Sequence, residues 1–250
     1  SSHTAHQRIA VFGGAFDPPH QAHIFAVTTL LMRDDISEVW LLPTFQHVFD
    51  KQMTDYDTRC AWLEECIQSA GWSGRVSICE IERDLGGQSR TYDPLNELEN
   101  RFDDARFCFV IGADNLSVSH KWYRFSDLVN RWPLIVFGRP GHEEVLSKYR
   151  SATWCLPEVC LPPVSSTSIR DGMRVDVTES LTHVPPPIRT SVRDHFTGQL
   201  RASVTYEHRI YVLGLGRVGS SLEHSLRLAG KCVLGWSRSE APLKQWLKVH

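Results

Sequence analysis

Over most of this chain, short apolar runs rich in β-branched and aromatic residues alternate with stretches of helical spacing, and that alternation sets the fold class. Residues 8–12 (Arg-Ile-Ala-Val-Phe) read as a strand running into Gly13-Gly14, and residues 23–32 as the helix that follows. A second strand covers 39–43. Residues 59–69 carry helical spacing, with Trp62, Leu63, Cys66 and Ile67 on one face. Residues 76–79, 107–111 and 133–137 are further strands. Such runs, buried on both faces and joined by helices, predict a doubly wound α/β fold built on a parallel sheet. Ligands of such sheets sit at the carboxyl ends of the strands, near the topological switch point, and the first loop falls there.

Two breaks organise the rest. Residues 157–163 are proline-rich and apolar and lead into Val164-Ser165-Ser166-Thr167; Pro185-Pro186-Pro187 precedes a short helical stretch near 188–196. The expected layout is a main domain over 8–198, a polar linker over 199–208 and a separate segment over 209–250. With 42% hydrophobic and 22% charged residues and a formal net charge of −2, the 250-residue chain suits a globular protein with no global field for nucleic acid or anionic membrane. No run reaches the roughly 18 apolar residues of a membrane span, and residues 1–6 lack the pattern of a signal peptide. Seven cysteines without a CxxC pair point to free thiols in a reducing cytoplasm.

The segment from Gly13 to His23, GGAFDPPHQAH, sits between the first strand and the first helix. Paired glycines let backbone approach a ligand, and Pro18 and Pro19 stiffen the loop. His20 and His23, three apart, share a face on the first helical turn, where free N–H groups suit a phosphate. Two imidazoles there could donate hydrogen bonds to phosphate oxygens as charge builds. Taken alone, the pair is also open to a structural capping role and, less readily, to a metal pair, for which no third ligand has an obvious spacing.

This string resembles the GGxFDPxHxGH loop of the HxGH nucleotidylyltransferases, and within them the bacterial nicotinate-nucleotide adenylyltransferases. Further resemblances follow in order: Ser89-Arg90-Thr91-Tyr92-Asp93-Pro94-Leu95 to SYTxDTL, Gly112-Ala113-Asp114-Asn115 to GADN, Lys121-Trp122-Tyr123 to the aromatic segment after it, Gly138-Arg139-Pro140-Gly141 to an arginine-proline-glycine turn, and 164–170 to ISSTxIR. The resemblance covers about 8–196 and implies a Rossmann-like fold and transfer of AMP from ATP, with Mg²⁺, to nicotinate mononucleotide. His20, His23 and Arg170 would be catalytic. Gly13, Gly14, Phe16, Gly112, Asp114, Ser166 and Thr167 would bind ATP with Arg170. Lys51, Thr91, Trp122, Tyr123 and Arg139 would meet the mononucleotide. Several of these keep a plainer reading: Asp114 as a helix cap, Trp122 as core, Arg139 as a turn anchor, Lys51 and Arg59 as a solvated helix face. Ala22 replaces the glycine of HxGH, Arg90 a tyrosine and Pro94 a threonine.

Residues 209–219 form an apolar strand running into GxGxxG, followed by a helical stretch over 220–228 and a second strand over 232–236. This resembles the opening βαβ of a dinucleotide-binding domain. Gly214, Gly216, Gly219 and Arg238 would hold NAD(P), with Ser237-Arg238-Ser239 suiting a 2′-phosphate. Only about 40 residues make up this segment, so the start of a longer domain or a packed remnant is expected ahead of dinucleotide binding by the segment itself. Nicotinamide mononucleotide or another acceptor, an oxidoreductase fragment, and a non-catalytic nucleotide-binding module are the competing functions. No protein metal site, nucleic acid or membrane is expected; a homodimer is compatible with the sequence.

Overall fold

The computed structural model describes residues 7–45, 53–87, 90–149, 154–202, 209–213 and 232–236. Two compact units divide it: residues up to 166 with Val184–Ile188, and Thr167–His183 with the described residues from Arg189 on.

The first unit is built on a six-stranded, all-parallel sheet of β1 (Arg8–Gly14), β2 (Ile36–Pro43), β3 (Val76–Ile78), β4 (Phe107–Gly112), β5 (Leu134–Gly138) and β6 (Trp154–Cys160), in the order β3-β2-β1-β4-β5-β6. Parallel neighbours need crossovers. These are α1 (Gln21–Leu31), α2 (Tyr56–Ser69), the single turn α3 (Ile81–Asp84) with α4 (Tyr92–Arg101), α5 (Ala113–Val118) with α6 (Phe125–Arg131), and α7 (Glu143–Tyr149). The chain leaves β1 toward β2 and β3, then returns to lay β4 on the other side of β1. The switch point therefore lies between the carboxyl ends of β1 and β4, at Gly14 and Gly112.

The central strands are apolar because both faces are buried: on one, Val11, Phe109, Ile111, Leu134 and Val136 pack with Leu95 and Leu98 of α4, Leu128 of α6 and Trp132 just after it; on the other, Ala10, Val110 and Ile135 are buried as well. Trp132 is 1% exposed, yet its indole N–H is satisfied by Glu99 Oε1 at 3.0 Å. Cys60, Cys66, Cys79, Cys108 and Cys160 are free thiols, and burial pushes those of Cys66 and Cys108 up to about 12. No helix among the described residues is long and apolar enough to cross a membrane.

Three elements differ from the sequence reading. β6 carries Pro157 inside a strand, which an edge strand tolerates because one side of its backbone has no ladder to complete. α4 has Pro94 in its first turn, where the missing N–H costs no helical hydrogen bond. The last long helix, α10, runs from Arg189 to Ala202, so the first residues of the expected linker are helical. In the second unit α8 (Ser166–Gly172) and α9 (Val177–Thr182) precede α10, and β7 (Arg209–Leu213) pairs in parallel with β8 (Cys232–Trp236). The expected tail-site residues Gly214, Gly216, Gly219 and Arg238 lie outside the described residues.

Candidate active site

β1 ends in Gly13-Gly14 and the chain then turns through Phe16, whose φ of 50° is left-handed. A non-glycine residue there costs roughly 1–2 kcal/mol, and packing offsets it. The Phe16 ring lies 5.7 Å from Phe12 and 4.7 Å from His23, and a Cβ on Gly14 would press on it at 3.3 Å. Asp17, buried in the same loop, accepts the Thr54 N–H at 3.2 Å.

His20 is the N-cap of α1, with extended backbone, and its N–H donates to His23 Nδ1 at 3.1 Å. The two rings stack with centroids 3.6 Å apart. Because His23 Nδ1 accepts, a neutral His23 must carry its proton on Nε2. Burial first, then the neighbouring His20 and Arg139, holds the His23 pKa well below 6.5. At neutral pH it is an uncharged ring with one N–H to give.

The pair opens on a cleft of about 210 Å³. Its floor is the carboxyl ends of β1 and β4, from Gly13 and Gly14 to Ile111 and Gly112; Asp114, Arg139 and Ser166 close its sides. A Cβ on Gly112 would overlap Asp114 Oδ1, so any larger residue there would turn the Asp114 side chain aside. Arg139 donates to the carbonyls of Pro162 at 2.8 Å and Val164 at 3.1 Å, and its Nε stands 3.5 Å from Asp114 Oδ2. Ser166 Oγ donates to the Pro18 carbonyl at 2.9 Å. The first turn of α1, with His20 and His23 upon it, faces this cleft, and helix N-termini of this kind suit phosphate oxygens.

Trp122 lines this cleft and also a second one of about 530 Å³, bounded by Thr44, Glu82, Arg90, Thr91, Lys121 and Tyr123. Two adjoining spaces sharing one half-buried indole suit two substrates that react at their junction. Among the described residues no cluster of three or more His, Cys, Asp or Glu could cage a metal ion.

The cytidylyltransferase-like family model matches residues 11–172, the span that holds both clefts. The chain belongs to the cytidylyltransferase-like family. A relative from Bacillus subtilis, named nicotinate-nucleotide adenylyltransferase, is 34% identical over 170 residues, covering 67% of this chain and 86% of that one. One from Anaeromyxobacter dehalogenans, "Probable nicotinate-nucleotide adenylyltransferase", is 37% identical over 167 residues, 66% of this chain and 82% of that one. Among solved structures, a Plasmodium falciparum nicotinic acid mononucleotide adenylyltransferase complexed with NaAD superposes with a TM-score of 0.66 at 20% identity. It covers 81% of this chain and 100% of that one, a likeness of fold.

Within this family member, Gly13, Gly14, Phe16, His20, His23, Gly112, Asp114 and Ser166 share the first cleft, and Thr91, Trp122 and Tyr123 share the second. Arg139, grouped from sequence with the mononucleotide, lines the cleft of the histidines instead. Thr167 and Arg170 lie in the second unit, where Arg170 Nη2 donates to Thr167 Oγ1 at 3.3 Å. Lys51 lies outside the described residues.

Arg59 is not on a solvated face. It is 1% exposed, and its guanidinium donates to the carbonyls of Thr54 at 2.8 Å, Ala15 at 2.6 Å and Thr44 at 2.8 Å. It ties the loop after β1 to the loop after β2. The signal for this was its place three residues before Trp62 and seven before Cys66, on the buried face of α2. Glu82 was missed altogether. It accepts the Phe45 N–H at 2.8 Å, and burial raises its pKa to about 7. No sequence pattern marks it, because its role comes from β2 and α3 meeting across 37 residues.

Proposed function

We propose that this protein transfers the AMP part of MgATP to the 5′-phosphate of nicotinate mononucleotide, giving deamido-NAD and pyrophosphate. The observation that carries the reading is the pair of adjoining clefts, one around His20 and His23, the other around Thr91 and Trp122. The names of its relatives support the same reaction.

ATP occupies the first cleft, its adenosine toward Gly112 and Asp114 and its phosphates over the first turn of α1. The mononucleotide occupies the second, its pyridine ring against Trp122. A 5′-phosphate oxygen attacks the α-phosphorus in line; the new P–O bond forms as the α–β anhydride breaks and pyrophosphate leaves. The nucleophile is already an anion, so alignment and neutralisation of equatorial charge are the protein's task. His23 serves as a hydrogen-bond donor through Nε2–H. A neutral donor avoids paying to bury a cation before the substrate arrives. Arg139 holds Asp114 and the 162–164 segment in place around the nucleotide. Arg170, Thr167 and Lys51 are assigned to the phosphates by family resemblance. A magnesium ion carried in with ATP would supply further neutralisation of phosphate charge, and among the described residues no acidic cluster would cage it.

Pyrophosphate release with MgATP and nicotinate mononucleotide, beside a His23→Ala control, tests the reading. We expect turnover that the substitution lowers about 10²–10³-fold. No release from the wild-type chain would reject it.

A further inference from the structure

The second cleft differs from the family pattern at one wall. Arg90 stands where the resembling motif has tyrosine. Its guanidinium lies over the Tyr123 ring, 4.7 Å from the centroid. Such stacking holds the plane while leaving the N–H edge open. Among the described residues no carboxylate pairs with that guanidinium; Asp93 Oδ2 takes the Arg90 backbone N–H instead, at 3.0 Å.

The charges facing this cleft can be counted. Arg90 and Lys121 are cations, and Glu82 is the one acid on the wall. The Glu82 carboxyl is engaged by the Phe45 N–H and, being buried, holds its proton up to about pH 7. Around neutrality the wall is net positive. An aromatic ring stacked on Trp122 and carrying a carboxylate gains from it, whereas the carboxamide does not. The guanidinium fork also matches a carboxylate with two parallel hydrogen bonds, which a carboxamide cannot accept.

We infer that Arg90 is a specificity-determining residue of this chain, selecting a mononucleotide whose pyridine ring carries a carboxylate over the one carrying a carboxamide. The inference rests on the proposed function, since it assigns the pyridine to this cleft. Arg90 is exposed and outside the core, so its replacement leaves the packing intact.

The test is steady-state kinetics on the full chain with nicotinate and nicotinamide mononucleotides offered separately, for wild type, Arg90→Gln and Arg90→Glu. We expect the acid-to-amide ratio of kcat/KM to fall about tenfold or more in Arg90→Gln, the loss of a solvent-accessible, charge-assisted pair of hydrogen bonds. The fall should be larger in Arg90→Glu and be carried by KM for the acid. A purely structural arginine would lower both substrates together and leave the ratio still. A ratio within about twofold of wild type in both variants overturns the inference and spares the function. A wild-type chain that turns over neither mononucleotide overturns both.

Discussion

The His20 N–H aimed at His23 Nδ1, 3.1 Å away, settles which nitrogen of that ring carries the proton, and the depressed pKa settles that there is only one. The same depression has a consequence for stability. An unfolded chain takes up a proton at this histidine near pH 6.5, the folded chain only well below that. Stability therefore falls as pH drops below about 6.5, by at most about 1.4 kcal/mol per pH unit from this one group. Melting wild type and His23→Asn at several pH values checks the sign: wild type should lose ground to the variant as pH falls, and a constant difference would contradict it. Gly112 gives a second prediction at this scale. A methyl there displaces Asp114 from beside Arg139, so Gly112→Ala should raise KM for ATP about tenfold or more, the cost of a misplaced contact. An unchanged KM would mean that Asp114 does not meet the nucleotide.

Between elements, the site depends on struts that touch no substrate in this account. Arg59 reaches from α2 to three backbone carbonyls in two loops. Burial pulls its pKa below the usual range, countered in part by Asp17. Arg59→Met leaves those carbonyls without this donor, and we expect about 3 kcal/mol or more of lost stability in denaturant melts, at about 1–3 kcal/mol for each buried acceptor left unsatisfied. Glu82 joins α3 to Phe45 in the opposite electrostatic sense. Its folded pKa lies above the unfolded one, so its favourable contribution is complete below about pH 4.5 and is lost as pH rises through about 7. Glu82→Gln keeps the acceptor for the Phe45 N–H and removes the charge. The variant should match wild type at about pH 5 and melt higher at about pH 8; a lower melt at both would contradict the assignment. Neither strut was legible as one in the sequence, since an arginine on a helix and a glutamate after a strand gain these roles only from partners 15 to 44 residues away. His20, His23 and Gly112 were legible, because a glycine pair, a strand end and a helix start are local features whose chemistry travels with their spacing.

At the scale of the molecule, parallel topology brings the substrates together. Crossing from β3 back to β4 places the ends of β1 and β4 side by side; the first cleft gathers around those ends, and the second adjoins it through Trp122. The alternation of strand and helix foretold this sheet, although β6 was hidden by Pro157, a residue that argues against a strand anywhere except at an edge. The parallel pairing of β7 with β8 agrees with the two strands read in the tail, while the expected glycine loop and helix between them lie outside the described residues. What the whole arrangement exists to do is decided by the fate of one phosphorus. With ATP labelled at the α-phosphorus, MgATP and nicotinate mononucleotide should yield a labelled dinucleotide of the mass of deamido-NAD and unlabelled pyrophosphate. Label recovered only in ATP or in AMP, with no dinucleotide formed, would contradict adenylyl transfer.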